Sequence, residues 1–249
     1  MTNMVNVFHK AQIKDEAVVS GNVILTDDAI VMGTSKVSDR AVISEHAVVK
    51  DKAIVRDFSR IMHTAVIFDN ADVRDHAVVK DNARAGGQCV ISGCGEVADD
   101  GAVLGHAVVR DDAIVRNEAC ITEYAVISGQ AVVGGRVLVK GNACIGGTAN
   151  LNGNITIGGN AHIKSNNDYC SIVVNGYTFT AYKDDEHIIS ISLLRFVGTL
   201  EDAKKFINDN TISYIVPEAD KIVALVYYRL KFNIENEEQG RKINNEKPQ

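Results

Sequence analysis

Histidine is the residue type in this sequence with the clearest capacity for chemistry near neutral pH. An imidazole can take a proton from a hydroxyl or an amine, and it can bind a metal ion. Six of the seven histidines lie in the first two thirds of the 249-residue chain: His9, His46, His63, His76, His106 and His162. His106 is the leading candidate for a general base, because Gly105 leaves space beside it.

Cysteine is the second reactive residue type. The chain has five cysteines, an odd number without the spacing of a disulfide framework, so we expect free thiols in a reducing cytoplasm. Cys89 and Cys94 lie in a glycine-rich stretch, residues 86–95, which lacks the Lys-Ser/Thr ending and the following helix of a phosphate-binding loop. We expect an irregular segment there instead.

A repeat of six residues runs through the region that holds these side chains. In steps of six from Ala11 to Ala161 most residues are alanine and none is charged, and from Ile13 to Ile163 every residue is Val, Ile or Leu except Ala85. Two inward positions around one outward position are typical of a short strand. Between strands, the middle corner residue is mostly glycine, which tolerates positive φ, or aspartate, which can bond the backbone of its own turn. The pattern predicts short strands and tight corners stacked into a solenoid.

This pattern resembles the hexapeptide-repeat superfamily, whose members form a left-handed parallel β-helix. The resemblance covers residues 5–164. It implies an all-β solenoid with three repeats in each triangular coil, or about nine coils in total. The whole chain is similar to a bacterial and phage branch of the superfamily that joins an uninterrupted β-helix to a small C-terminal α+β domain, and whose members are labelled transferases.

Acyltransferases of this superfamily use a histidine at a corner as the general base toward an acceptor hydroxyl or amine. In the small-molecule acetyltransferases it lies in a segment like Ile-Gly-x-His-Ala-x-Ile, and residues 103–109, Val-Leu-Gly-His-Ala-Val-Val, match that segment in register. The resemblance implies a catalytic role for His106, or for His76, which with His46 shares the register. His63 falls one place earlier, where the sugar-lipid acyltransferases carry their histidine. Acetyl-CoA would be the co-substrate, but the residues that would hold it are unknown, and the chain lacks the Trp and the protruding loop of many such enzymes.

Residues one coil apart are expected to be neighbours, so Tyr124 should stack on His106. Cys94 follows His76 in the same way, and a thiol beside an imidazole can form a thiolate or bind a metal, although simple adjacency in a ladder also explains the pair. A γ-type carbonic anhydrase is the other enzyme considered, and it needs three histidines around zinc, two of them five residues apart. No two histidines here have that spacing, and His46, His76 and His106 should fall on three different corners, so we expect no metal ion.

Charge and surface hydrophobicity indicate the kind of partner. The formal charge is −6 and no basic block is present, which argues against nucleic acid, and no apolar run suits a membrane span. Arg56-Asp57 and Arg74-Asp75 predict a solvated ladder of alternating charge at one corner. The outward strand positions are mostly apolar, which favours a homo-oligomer, and the resemblance implies a trimer with small-molecule ligands in the clefts between subunits.

The hexad ends near Lys164, and the polar segment that follows is typical of a linker. Residues 165–232 predict a small α+β domain that caps the last coil, and the polar residues 233–249 predict a flexible tail. The predicted elements are strands over Tyr169–Val174, Tyr177–Tyr182 and His187–Phe196, a helix over Leu200–Asn208 with Thr199 as N-cap, and a helix from Pro217 to about Lys231 that buries Ile222, Leu225, Val226 and Leu230.

Three functions are compatible with these residues. An acyltransferase with an acetyl-CoA-type donor and a hydroxyl or amine acceptor is the most specific, and it rests on the resemblance. A non-catalytic module that holds a small ligand or nucleotide and an oligomeric scaffold built on the β-helix are the alternatives. CoA binding with turnover would distinguish the first, ligand retention without turnover the second, and self-association alone the third.

Overall fold

Three long parallel sheets form the main body of the protein. The computed structural model describes residues 5–184, 189–194, 196–210, 212, 216 and 218–245. Each of the three sheets has nine strands, and each strand pairs in parallel with the third strand after it, as Asn6 pairs with Ile24. The predicted parallel β-solenoid of nine coils with a small C-terminal α+β unit is confirmed. The left hand implied by the resemblance stays a prediction.

Every strand of the solenoid is two residues long, with the first side chain outward and the second inward. The first sheet contains Asn6–Val7, Ile24–Leu25, Val42–Ile43, Arg60–Ile61, Val78–Val79, Glu96–Val97, Ile114–Val115, Val132–Val133 and Asn150–Leu151. The second sheet contains Gln12–Ile13, Ile30–Val31, Val48–Val49, Val66–Ile67, Arg84–Ala85, Ala102–Val103, Cys120–Ile121, Leu138–Val139 and Thr156–Ile157. The third sheet contains Val18–Val19, Lys36–Val37, Ile54–Val55, Asp72–Val73, Val90–Ile91, Val108–Val109, Val126–Ile127, Cys144–Ile145 and His162–Ile163. The first, second and third corners are the turns that follow strands of the first, second and third sheets.

The core consists of the small and aliphatic positions of successive repeats. From Val23 onward these side chains are almost all fully buried, as at Ala107 and Val109. A buried aliphatic side chain contributes about 1.5–3 kcal/mol before conformational entropy is subtracted. Ser59 fills one small position, and its hydroxyl donates to the carbonyl of Arg56 at 2.7 Å, so its polar group is satisfied inside the core.

Positive φ at the middle of each corner explains the glycine and aspartate found there. Asp57 accepts a hydrogen bond from the backbone N–H of Asp75 at 3.2 Å, and Asp75 accepts one from Gly93 at 2.9 Å, each 18 residues later. The prediction that these carboxylates bond their own turn is therefore wrong. The residues on either side, Arg74 and His76, donate their N–H groups to the main chain of the next coil. The N–H of the middle residue, Asp75, has no main-chain acceptor in the next coil. The carboxylate of Asp57 in the preceding coil accepts its hydrogen bond instead.

The glycine-rich stretch is regular, which corrects the irregular segment expected there. Arg84 keeps its parallel pairing with Val66. Gly86 leaves room for the ring of Phe68 from the preceding coil: a Cβ at Gly86 would be 2.2 Å from Cζ of that ring, so the ring would have to move. The guanidinium of Arg84 lies 5.5 Å from the ring centroid. Glycine therefore provides space for an aromatic ring rather than for a phosphate.

In its described residues, the C-terminal unit has a four-stranded antiparallel sheet packed against two helices. Its strands are Tyr169–Val174, Tyr177–Lys183, Ile189–Leu193 and Phe196–Gly198, and its helices are α1, Leu200–Asp209, and α2, Ala219–Asn245. The predicted N-cap of α1 is confirmed, since Thr199 Oγ1 accepts a hydrogen bond from the N–H of Asp202 at 3.2 Å. The fourth strand was not predicted, because a turn at Leu194 divides the third predicted strand in two.

The polar segment after Lys164, which was predicted to be a linker, has a defined structure. The segment forms a 3₁₀ turn, Asn166–Asp168, in which the Asp168 carboxylate accepts hydrogen bonds from the N–H groups of Lys164 and Ser165, both at 2.9 Å. Asp168 itself is buried. An acidic residue three positions after a serine forms a capping box, so this polar sequence specifies a fixed turn.

The second helix also differs from its prediction. Leu225 is 56% exposed, and the buried face consists of Ala219, Val223, Val226 and Leu230. The helix ends at Asn245 rather than near residue 231, and six of the eight residues 235–242 are Glu, Gln, Arg or Lys, which favour a helix. The mobility predicted for residues 233–249 stays a prediction. His187 and Pro217, where two elements were predicted to begin, lie outside the described residues.

The C-terminal unit closes one end of the solenoid. Tyr182 is fully buried against the solenoid core, and its hydroxyl accepts a hydrogen bond from the N–H of Gly158 at 3.2 Å. Ala161 pairs with Asp184 as an antiparallel bridge. These contacts cover backbone groups that a sheet edge would otherwise leave open.

Tyr182 is expected to ionise only in strongly alkaline solution and to link that ionisation to stability. Burial raises the pKa of Tyr182 to about 12, from an ordinary value of 10.0. The pKa of Tyr182 is higher in the folded protein than in the unfolded chain, so the neutral phenol favours the folded state. This contribution to the free energy of unfolding is fully present below pH 10, and about 3 kcal/mol of it is lost as pH approaches 12. Ultraviolet difference titration should show a late tyrosinate step that Tyr182→Phe removes. A tyrosine titration of the folded protein with a single midpoint near pH 10 and no later step would contradict this expectation.

Candidate functional site

His106 lies at a second corner, between the strands Ala102–Val103 and Val108–Val109. Its imidazole stacks on the ring of Tyr124 one coil later, with centroids 4.8 Å apart and planes 4° apart, which confirms the predicted contact. Among the described residues, neither ring nitrogen of His106 has a hydrogen-bond or ion-pair partner. The stack therefore restrains the ring while both nitrogens remain accessible.

His76 lies at a third corner in a similar column. Its ring stacks on Phe58 of the preceding coil at 5.0 Å between centroids and 3° between planes. The guanidinium of Arg40 lies 5.3 Å from the centroid of the same phenyl ring. Cys94 is exposed and occupies the same corner position one coil after His76. His76 alone does not indicate this column of side chains. The 18-residue spacing of Arg40, Phe58, His76 and Cys94 is the sequence signal that predicts their stacking in successive coils.

The structure does not bring the predicted histidines together within one chain. His46 is at a first corner, His106 at a second and His76 at a third. The Nδ1 atom of His46 lies 3.6 Å from Oδ2 of Asp28, in an exposed ion pair. In the part of the chain that the structure describes, no three His, Cys, Asp or Glu side chains are grouped as metal ligands. A site that used two of these histidines would have to involve more than one chain.

His63 has the carboxylate partners that His106 and His76 lack. Its Nδ1 lies 2.7 Å from Oδ1 of Asp81, and its Nε2 lies 3.4 Å from Oε2 of Glu45. These residues occupy the same position of the first corner in the coils before and after His63, so the 18-residue spacing could have revealed them. A carboxylate often orients a catalytic imidazole. Here both nitrogens face carboxylates, and neither is left for an acceptor substrate.

Cys89 is a core residue. It is fully buried in a small inward position of the repeat, and burial raises the pKa of its thiol to about 12. A thiol with such a pKa is neutral near pH 7 and a poor nucleophile. Of the two cysteines in the glycine-rich stretch, only the exposed Cys94 is accessible to reagents.

The predicted charge ladder at the third corner is organised around a residue that the sequence analysis missed. Arg56 Nη2 and Arg74 Nη1 both approach Oδ2 of Asp72, at 3.1 and 3.4 Å, and the hydrogen bond to Asp72 raises the pKa of Arg56. Arg56 also lies 3.5 Å from Asp57, as the ladder predicts. Oδ1 of Asp72 is buried and has no hydrogen-bond partner among the residues that the structure describes. The arginines are therefore fixed against the third sheet rather than only along the corner.

A row of apolar side chains runs along the third sheet beside His106. Val90, Val108, Val126 and Cys144 are its outward residues in four consecutive coils, and all four are partly exposed. The second corner borders this sheet, so His106 lies at the edge of the row. A flat apolar row of this kind is suited to packing against another flat surface.

The described part of the chain has no helix with both the length and the apolar character needed to cross a membrane. Comparisons with protein-family models, with curated proteins and with solved structures found no match.

Proposed function

We propose that the protein is an acyltransferase of the hexapeptide-repeat superfamily, which transfers an acetyl or related acyl group from a CoA-type thioester to a hydroxyl or amine. The regular nine-coil parallel β-solenoid supports this proposal. The observation that carries it is the imidazole of His106, which Tyr124 restrains at 4.8 Å and which has both nitrogens free among the described residues. A general base needs an accessible nitrogen with a limited range of orientations. The free thiols further support a cytoplasmic protein, in the bacterial and phage branch that the sequence resembles.

His106 acts as the general base in this proposal. It takes the proton from the acceptor O–H or N–H while the acceptor atom attacks the thioester carbonyl carbon. The tetrahedral adduct then collapses and its C–S bond breaks, and the CoA sulfur leaves and takes the proton from the imidazolium. One acyl group and one proton have changed places, so His106 returns to its neutral state. His76 has the same kind of restrained, accessible ring and is the second candidate for this role.

The proposed active form is a homotrimer with the acyl donor in clefts between subunits. The row Val90, Val108, Val126 and Cys144 supports side-by-side packing, because it would bury apolar area along a flat face. Packing on this face would place His106 at the rim of the interface, since the second corner borders the third sheet. Clefts between subunits are common sites for small molecules.

Native mass spectrometry with acetyl-CoA tests this assignment. The expected species is a trimer that gains up to three CoA masses. ADP, which shares the adenosine diphosphate of CoA but lacks its 3′-phosphate and its thioester arm, is the control and should bind more weakly. A protein that ignores acetyl-CoA would contradict the proposal, and equal retention of ADP would favour the nucleotide-binding alternative.

A further inference from the structure

A cavity of about 320 Å³, widely open to solvent, lies on the C-terminal unit beside the turn that joins this unit to the solenoid. Its walls are the 3₁₀ turn Asn166–Asp168, the start of the first strand of the C-terminal sheet, and the helix α2, which contributes Arg229 and Asn233. This volume is at the lower end of the range for small-molecule sites. The cavity is remote in sequence from every corner histidine discussed above.

Arg229 gives the cavity its charge. It is the only ionised side chain among the lining residues, and within the described residues no carboxylate oxygen lies within the 4.0 Å of an ion pair. Asn233 is four residues later on the same helix, so the two side chains share a face. A guanidinium has several N–H donors in a planar arrangement that fits two oxygens of a carboxylate or phosphate.

The other walls add hydrogen-bond donors. Oδ1 of Asn166 accepts a hydrogen bond from the N–H of Asn150 at 2.7 Å, which leaves the amide NH₂ of Asn166 as a donor. The hydroxyl of Ser171 is on an exposed residue at the cavity wall. Asp168, the nearest carboxylate along the chain, is buried and bound to the backbone of residues 164 and 165. The lining therefore offers donors and a cation without an opposing anion.

The positive charge of Arg229 influences the Cys170 thiol in the cavity wall. Cys170 lines the cavity and is nearly buried, and burial raises the pKa of its thiol while the charge of Arg229 lowers it. A thiol with a raised pKa stays neutral near pH 7, so Cys170 adds no negative charge to the site. The positive charge of Arg229 is consequently available to a bound anion.

We propose that this cavity binds a small molecule through a carboxylate or phosphate group, with Arg229 as the charged anchor and the amides of Asn166 and Asn233 as additional donors. The site does not depend on acyl transfer, because none of its residues takes part in that proposal. It gives the C-terminal unit a role beyond closing the solenoid.

Isothermal titration calorimetry with inorganic phosphate and with succinate, at constant ionic strength, tests the proposal. Wild-type protein should bind at least one of the two anions with saturation, and the preferred probe identifies the group. Arg229→Gln should weaken that binding by roughly 10- to 100-fold, the usual value of a charged hydrogen bond. Lys231→Gln removes the same charge from an exposed position on the same helix outside the cavity, and it should leave the affinity unchanged.

Asn233→Asp is the second variant and introduces a negative charge into the cavity while keeping the size of the side chain. It should also weaken anion binding at least tenfold, and circular dichroism should show an intact fold for all three variants. Absence of saturable binding by both anions would overturn the proposal. Equal losses in Arg229→Gln and Lys231→Gln would also overturn it, because diffuse attraction by surface charge would then explain the binding.

Discussion

Replacing His106 with alanine is expected to lower the rate of acetyl transfer from acetyl-CoA by about 10²- to 10⁴-fold, the usual contribution of a general base. The expected loss is in turnover rather than in acetyl-CoA binding, because in the proposed mechanism the imidazole acts on the proton of the acceptor and not on the donor. Release of the CoA thiol in the presence of a panel of amino sugars and primary amines measures the rate. Tyr124→Leu should reduce the rate less, since it removes only the stacked ring that restrains His106.

His46→Ala is the matched control for this experiment. His46 is exposed at a first corner in the same register, and its Nδ1 lies 3.6 Å from Oδ2 of Asp28. This variant should transfer acetyl groups at the wild-type rate. His76→Ala reports whether the third-corner histidine has the role instead. Unchanged transfer in both His106→Ala and His76→Ala would exclude the assignment of a corner histidine as the base.

Replacing Ile121 with alanine is expected to lower the free energy of unfolding by about 2–5 kcal/mol. Ile121 is fully buried in the second sheet, between Val103 of the preceding coil and Val139 of the next. Its neighbours belong to rigid ladders on both sides, so the structure cannot close the cavity by a local shift. The midpoint of urea unfolding should therefore fall clearly.

Ile114→Ala is the matched control, since Ile114 is an outward residue of the neighbouring strand and is only partly buried. Its loss should cost no more than about 1 kcal/mol, in proportion to the smaller apolar area that it removes from water. Similar midpoints for the two variants would show that inward and outward ladders contribute equally. The assignment of the core to the inward positions would then be wrong.

The solenoid was predictable because it is determined by short-range rules repeated many times. Side chains alternate across a strand, so the inward pair Ala107 and Val109 can be identified from the six-residue repeat. Positive φ at the middle of a corner follows from glycine and aspartate at that position. The stack of His106 on Tyr124 was also predictable, because both residues occupy one corner position in adjacent coils.

Contacts between polar side chains were less predictable, because they depend on which hydrogen-bonding groups the folded chain leaves without a local partner. The corner carboxylates bond the next coil because the N–H there has no main-chain acceptor, and the sequence does not show that vacancy. Asp72 attracts Arg56 and Arg74 across the third sheet, although local charge alternation suggested other pairs. Arg229 and Asn166 are far apart in sequence, and only the packing of α2 on the 3₁₀ turn brings them to one cavity.

Strand pairing repeats every 18 residues, and this period determines which insertions and deletions the solenoid could tolerate without losing its fold. Deleting or duplicating 18 residues within the solenoid would remove or add one whole coil, so every remaining strand would still meet an equivalent neighbour and the C-terminal unit would move by about 4.8 Å along the axis. Deleting six residues would also preserve the inward pattern, but it would rotate the C-terminal unit by one face relative to the first coils. His106 and Arg229 would then keep their own surroundings while facing new directions relative to the N-terminal coils. Recombination within the repeats could thus change the length of the solenoid in whole coils, and with it the distance between the N-terminal coils and the C-terminal unit.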